Sequence, residues 1–396
     1  MKFLYASVVS DSEQYSGILK KVVGQTKGAA ELGWEAHYTF VTKCGVVLVT
    51  GSGRRTRAIE AGLRWRKHRK AVTDGICGFV GEEAYDAVYI KGFLATPYAL
   101  RIAKSAKMAN RNCRVIYEVA TYPYWGEYRR FIGVDLREKN SRALAGHLLE
   151  IFQHAVSAPQ YRNHVDALVL FGSPAERLWG VPAVTVSNGV TVKDIAPRQY
   201  GFDDAGAPVR LLGVAGTSVA HGYDRVLRGM ADYFRDRSSG TPGVEFNLVG
   251  ENETITALKT LVSELRLSDH VHFLGYKNSK ELGGLYSLND AAVSSLGVYR
   301  IGLTHLSPLK SREYCAAGIP FLYAYEDTLL DGEEPFCLKL PNDDSPVDIG
   351  AVVSFVQKCR GDPGLAEEER KFAKRNCDWK SIMKRILAFA EQADRL

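Results

Sequence analysis

Short runs rich in Val, Ile, Leu and Tyr alternate with amphipathic stretches along almost the whole chain, and this alternation constrains the fold more than any other feature. Runs suited to strands lie at residues 2–9, 35–42, 87–91, 114–119, 167–171 and 183–187. A second series lies at 209–214, 244–249, 271–274, 291–294 and 320–324. Helical stretches fall between them, at 17–32, 97–108 and 141–156, then at 222–235, 254–266, 279–287 and 307–317. Strands that alternate with helices build βαβ units, whose parallel sheet is covered on both faces. The expected fold class is α/β, with two doubly wound Rossmann-like domains.

A length of 396 residues suits two domains. Residues 191–208, TVKDIAPRQYGFDDAGAP, carry Pro and Gly turns and little periodicity, so they read as a linker. The expected boundaries are a first domain at 1–190, a linker at 191–208, a second domain at 209–376 and a charged amphipathic helix at 377–396. Doubly wound sheets bind ligands beyond the carboxyl ends of their strands. The functional cleft is therefore expected between the two domains.

Apolar residues make up 46% and charged residues 24%, which excludes disorder, collagen and coiled coil as the main state. No apolar run approaches the ~18–20 residues of a membrane-spanning helix. The start, MKFLYASVVSDSEQ, reads as a strand, since its apolar run is too short for a signal peptide. A cytoplasmic protein is expected. The seven cysteines are widely spaced and form no CxxC pair, so reduced, mostly buried thiols are expected, not a disulfide framework or zinc site.

The net charge of +6 is unevenly spread. Residues 54–70, RRTRAIEAGLRWRKHRK, hold eight Lys or Arg and one acid, so the rest of the chain is close to neutral. Nucleic-acid binders carry a broader basic surface with stacking aromatics, and no nucleic acid is expected here. Taken as a helix, the segment suits an anionic membrane surface, on the inner face of the membrane.

Four stretches carry candidate chemistry. In SPLKSREYCAAGIP (307–320), Ser307 is expected to cap a helix, with Pro308 at its first position and Gly318 as its stop. Lys310 and Glu313 then share a face, next to helix N–H groups that can hold a phosphate. Glu313 can accept two ribose hydroxyls. In GVAGTSVAHGYDRVL (213–227), a strand enters a Gly-containing loop whose amides can wrap a phosphate, aided by His221 and Arg225. The stretch lacks both GxGxxG and the Walker lysine. QYSGILKK (14–21) places Ser16 and Gly17 at a helix start, and YEVATYPYWGEY (117–128) offers Glu118 and several aromatic rings suited to sugar faces. A capped surface helix, ordinary turns and a packed aromatic loop are the competing readings of these stretches.

Together these pieces resemble the GT-B glycosyltransferases of family 4, in the subgroup linked with bacterial surface polysaccharide assembly. The resemblance runs through SGILKKVVGQTKGAAELG, VSNGV, HGYDRVL, VEFNLVGEN, VHFLGYKNSKELGGLYSLNDAAVSSLG, SPLKSREYCAAGIPF and RNCDWKSIMKRIL. It implies a hexosyl transfer, with retention, from a nucleotide sugar, UDP-linked by preference, to a saccharide or lipid-linked acceptor. It also implies that no metal cofactor is needed and that the last helix crosses back onto the first domain. By resemblance, Gly216, His221, Gly222, Arg225, Tyr276, Arg300, Ser307, Lys310 and Glu313 bind the donor. His305, Lys310 and Glu313 are the expected catalytic set, and Ser16, Gly17, Glu118, Tyr122, Tyr124 and Glu127 the acceptor side.

The family marks its site with two glutamates eight apart. Glu313 matches the second, and His305 stands at the first. His221 stands where a phosphate-binding lysine is usual, and Lys310, Arg225 or Arg300 are the candidates to compensate. Two other readings stay open: a catalytically silent partner of another transferase, and a nucleotide-sugar epimerase on the same fold. Asp203-Asp204 and Asp343-Asp344 read as solvated acids in connecting segments.

Overall fold

The computed structural model describes residues 1–12, 16–199, 207–214, 219–236, 241–251 and 253–393. The chain forms two compact units. Unit 1 comprises residues 1–189 and 378–396, and unit 2 residues 190–377.

Unit 1 begins with β1 (Lys2–Ala6), α1 (Ser16–Ala30), β2 (Glu35–Thr42), β3 (Gly45–Thr50) and β4 (Gly53–Ala58). It continues through α2 (Trp65–Glu83), β5 (Ala87–Gly92), α3 (Pro97–Ala109), β6 (Arg114–Tyr122), α4 (Trp125–Arg137) and α5 (Ser141–Tyr161). β7 (Ala167–Gly172), β8 (Arg177–Leu178) and β9 (Val181–Thr185) close the series. Among the described residues the sheet has nine strands, ordered β4-β3-β2-β1-β5-β6-β7-β9-β8. β2, β1, β5, β6, β7 and β9 run parallel in the body of the sheet. Such strands are buried on both faces, and every residue of β7, ALVLFG, is buried.

The basic segment departs from the expected helix. Thr42 pairs with Gly45, and Thr50 with Gly53, so two tight hairpins fold β3 and β4 antiparallel along the edge of β2. Residues 54–58 are thus an edge strand, and helix starts only at Trp65. Arg55 and Arg57 pair with Glu82 on α2, and Arg55 reaches Glu83 at 2.7 Å. A run of arginines along an exposed edge also blocks pairing with a foreign strand. The signal for this hairpin, GVVLVT-GS-GRRTRA, is present in the sequence.

Unit 2 carries β10 (Val209–Val214), α6 (Tyr223–Arg235), β11 (Val244–Val249), α7 (Glu253–Glu264), β12 (Val271–Phe273), α8 (Ser279–Leu288) and β13 (Ala291–Val293). Then follow α9 (Leu309–Ala317), β14 (Phe321–Tyr323), β15 (Cys337–Lys339), α10 (Ile349–Arg360) and α11 (Leu365–Phe372). Its described strands form one parallel sheet in the order β12-β11-β10-β13-β14-β15. Counted from the first strand, that is 3-2-1-4-5-6, the doubly wound order whose winding reverses between strands 1 and 4. The crevice of this unit therefore opens beyond Val214 of β10 and Val293 of β13.

Residues 191–199, expected as linker, pack into unit 2. Val192 is buried, and the Arg198 guanidinium donates to the carbonyls of Asn289 and Asp290 at 3.1 and 3.2 Å. Residues 200–206, with Asp203-Asp204, lie outside the described residues.

The chain then returns to unit 1 as α12 (Trp379–Gln392), capped by Asp378. Trp379, Met383 and Ile386 are buried against Phe3, Val22 and Val169. A Cβ on Gly24 would lie 2.4 Å from the Trp379 ring, and one on Gly28 2.7 Å from its backbone carbonyl. These glycines of α1 are what let α12 approach. The described cysteines are free thiols, five of them buried, with Cys44 exposed.

Candidate functional site

The crevice of unit 2 is built by short-range bonds between the segments that leave β10 and β13. Tyr223 donates its hydroxyl to the carbonyls of Val214 and Val293, at 3.0 and 3.2 Å, and so ties the two strand ends together. Leu296 N–H donates to His221 O, and Gly297 N–H to Ala220 O, both at 2.9 Å. Gly222 sits at φ +62° as the N-cap of α6, and a Cβ there would lie 2.7 Å from Gly297 N. The close approach, together with the left-handed backbone, requires glycine.

Helix α9 brings its first turn to this junction. Pro308, not Ser307, occupies the N-cap position, and Gly318 ends the helix at φ +76° as expected. Ser307 Oγ instead accepts from Arg312 at 3.0 Å. Arg312 is fully buried, and its Nη2 donates to both carboxylate oxygens of Asp327 at 2.7 and 2.8 Å, which anchors the helix. No spacing in the sequence announces that pair.

Lys310 leaves the first turn of α9, donates to the carbonyl of Val214 and lies 2.8 Å from His221 Nε2. An ammonium can only donate, so Nε2 is the acceptor in this contact. Burial pulls the Lys310 pKa down to about 8, and the charge of Glu313 pulls the other way. Glu313 stands one turn along and half-buried. Burial, with the Glu313 charge behind it, also raises the Tyr286 phenol. A cation, the positive end of α9 and a carboxylate thus share one crevice, a combination suited to a diphosphate joined to a ribose.

Two other expected donor residues have different work. Arg225 is wholly buried, and its guanidinium donates to the carbonyls of Ser345, Leu296 and Pro341 at 2.7, 2.5 and 3.0 Å. It holds loops together. Arg300 forms a bidentate pair with Asp224 at 2.6 and 2.9 Å and also meets Asp344. Asp343 pairs with Arg225 at 3.4 Å, so neither acid of that doublet is simply solvated. Of the three candidates to compensate at His221, only Lys310 lies beside it in the crevice.

His305 is half-buried, with Nδ1 3.0 Å from Thr304 Oγ1, and its backbone bridges to Glu326. Tyr276 is exposed. Gly216 lies outside the described residues, as do the side chains of Ser16 and Glu127. Gly17 is exposed in the first turn of α1.

In unit 1 the expected acceptor group divides. Glu118 is fully buried, 3.0 Å from Lys21 and 2.7 Å from Lys91, and accepts from Tyr5 and Tyr89 at 3.2 and 2.7 Å. β6 runs on from the expected end at residue 119 to Tyr122, so Glu118 lies inside the strand and not at its carboxyl end. Although burial opposes ionisation, the two ammonium groups hold its carboxyl well below the usual range. Burial lowers Lys21 to about 7 despite Glu118. Tyr124 is also core: its hydroxyl lies 3.1 Å from His154 Nε2 and accepts from Trp179 Nε1 at 3.2 Å. Neither Glu118 nor Tyr124 offers an atom to a sugar. Tyr122, at the end of β6, is partly exposed.

Solved structures place the architecture. Sucrose-phosphate synthase from Thermosynechococcus elongatus is 14% identical, with a TM-score of 0.59, over 100% of this chain and 99% of its own. The lipopolysaccharide outer core galactosyltransferase WaaB is 11% identical, with a TM-score of 0.56, over the whole of both chains. Anabaena HepE, solved with UDP-glucose, is 13% identical, with a TM-score of 0.57, again over both whole chains. The fold is that of the GT-B glycosyltransferases. No family model matches the chain, and no curated protein matches it.

Proposed function

We propose that the chain is a glycosyltransferase of the family 4 type, which moves a hexosyl unit from a nucleotide sugar to a saccharide or lipid-linked saccharide. A UDP-sugar is the preferred donor, and transfer proceeds with retention, in the assembly of a bacterial surface polysaccharide. The observation that carries this reading is Lys310 beside His221 at the β10–β13 crevice, with Glu313 one turn away on α9. The UDP-glucose bound by HepE and the galactosyl transfer named for WaaB support the donor class by analogy of fold alone.

In this reading the nucleoside diphosphate leaves as the glycosidic bond breaks. Lys310 and the free N–H groups of α9 stabilise its growing charge, a role that a metal plays elsewhere. Glu313 accepts the ribose hydroxyls. Work on this acceptor takes place in the cytoplasm, and the protein meets it at the membrane face.

The test is a panel of nucleotide sugars with purified protein, read by calorimetry for binding and by mass spectrometry for hydrolysis or transfer. Binding and turnover of one donor are expected. Failure to bind any nucleotide sugar or nucleoside diphosphate would overturn the reading. Tight binding with no turnover on any acceptor would favour the silent partner, which the absence of a carboxylate at His305 motivates.

A further inference from the structure

Breaking a glycosidic bond leaves positive charge on the sugar while the departing diphosphate gathers negative charge. The crevice of unit 2 meets the diphosphate end with Lys310 and the start of α9. The sugar end calls for a carboxylate, and His305 carries none. The segments beyond the sheet supply one from another strand.

A series of backbone bonds leads from the crevice to this carboxylate. Leu296 N–H donates to His221 O at 2.9 Å, and Ala324 N–H to Ser295 O at 3.2 Å. Past the end of β14, Glu326 N–H donates to Thr304 O at 2.8 Å, and Leu306 N–H to Glu326 O at 3.0 Å. The last two bonds form a parallel bridge in which Glu326 stands opposite His305. Paired residues of adjacent strands send their side chains to the same face, with the strands about 4.8 Å apart. The bridge therefore sets a carboxylate next to the His305 side chain, a placement that no spacing in the sequence shows.

Glu326 is 55% exposed, and Lys339 at the end of β15 donates to both of its oxygens at 2.8 Å. An ionised carboxylate has about four lone-pair sites, so one ammonium leaves it able to accept sugar hydroxyls. Neighbouring acids are committed elsewhere: Asp327 is buried against Arg312, and Asp224 pairs with Arg300. His305 Nδ1 lies 3.0 Å from Thr304 Oγ1, which leaves Nε2 for a hydroxyl on the same face. Both Glu326 and Lys339 stand at the carboxyl edge of the sheet, where doubly wound domains bind their ligands.

We propose, resting on the transfer reading above, that Glu326 is the sugar-side carboxylate of this crevice. It accepts hydroxyls of the donor's hexosyl unit and faces the positive charge that develops there. It forms no bond to the sugar, and its effect is electrostatic. Lys339 is a positioning residue that holds the carboxylate at the rim.

Calorimetry on the full-length protein compares a panel of UDP- and GDP-hexoses with UDP and GDP alone. Glu326→Gln should weaken the best-bound nucleotide sugar by about tenfold or more and leave its nucleoside diphosphate unchanged. Lys339→Met should reproduce part of that selective loss, whereas a purely structural role would move both ligands together. Adding His305→Glu to Glu326→Gln should restore the selectivity, since the bridge sets the new carboxylate beside the lost one. Thermal melts check that the variants keep the fold. An unchanged ratio of the two affinities in Glu326→Gln would overturn the assignment and leave the transfer reading standing. Equal weakening of both ligands would also overturn it, making Glu326 structural. A wild type that binds neither nucleotide sugars nor nucleoside diphosphates would overturn both.

Discussion

Lys310 Nζ lies 2.8 Å from His221 Nε2, at the carboxyl end of the first strand of unit 2. The family that the sequence resembles carries a lysine at the His221 position, and here Lys310 brings a cation to the same crevice from α9. The two positions should therefore be exchangeable in charge. Lys310→Met should weaken nucleoside diphosphate binding by about 10- to 100-fold, the worth of a charge-assisted hydrogen bond. Adding His221→Lys to that variant should restore part of the loss. Calorimetry on the single and double variants checks both, and an unchanged affinity in Lys310→Met removes Lys310 from the site.

The same lysine makes binding depend on pH. Its pKa in the folded protein is about 8, below the ordinary 10.5, so it loses its charge as pH rises through 8. Affinity for a nucleoside diphosphate should fall across that range, approaching about tenfold per pH unit above it. Lys310→Arg should keep its charge and lose the decline. A wild-type affinity that stays flat from neutral pH well into the alkaline range would contradict the assignment.

Glu313→Ala should lower donor affinity or turnover by about 10- to 100-fold while the protein melts as before, since the carboxylate is half-buried on a helix held by other residues. Kinetics with the best donor, together with a melting curve, test this. A large loss of stability with intact kinetics would make Glu313 structural instead.

Glu118 predicts the reverse pattern. Glu118→Gln leaves Lys21 and Lys91 facing each other in the core and should cost about 3–5 kcal/mol of stability, read from urea unfolding. The sign in acid follows from linkage. A carboxyl held below its ordinary 4.5 stabilises the folded state above that value and loses the contribution as pH falls toward its folded pKa. The acid limb of the stability curve should be shallower in Glu118→Gln. If acceptor KM changes and stability does not, Glu118 belongs to a binding site after all.

The return of the chain to unit 1 should hang on one contact. Trp379→Ala removes a buried indole and should cost about 3–5 kcal/mol. Gly28→Ala places a Cβ 2.7 Å from the Trp379 backbone, where no side chain can yield, and should cost about 1–3 kcal/mol. Thermal melts with a probe in each unit check these values. Loss confined to unit 2 would show that α12 is not what the glycines serve.

Much of this protein was legible from the chain alone. Strand and helix periodicity is a local property, so β2, β10 and β11 fall on the residues expected, as does the glycine stop of α9 at Gly318. Glu313 and Lys310 stood out because three residues on a helix fix a shared face. What a side chain meets across the fold is not local. Arg225 looks like Lys310 in the sequence, yet tertiary structure closes three carbonyls around it, while Lys310 faces a crevice. Glu118 and Tyr124 looked like sugar ligands because polar and aromatic residues near a strand's end often are. Where β6 stops, and the lysines, histidine and indole that other elements bring, decided that both are core. The basic run 54–70 has the charge the sequence shows. Its division into edge strand and helix start depends on hairpin pairing with β3, an interaction that only the folded sheet can supply.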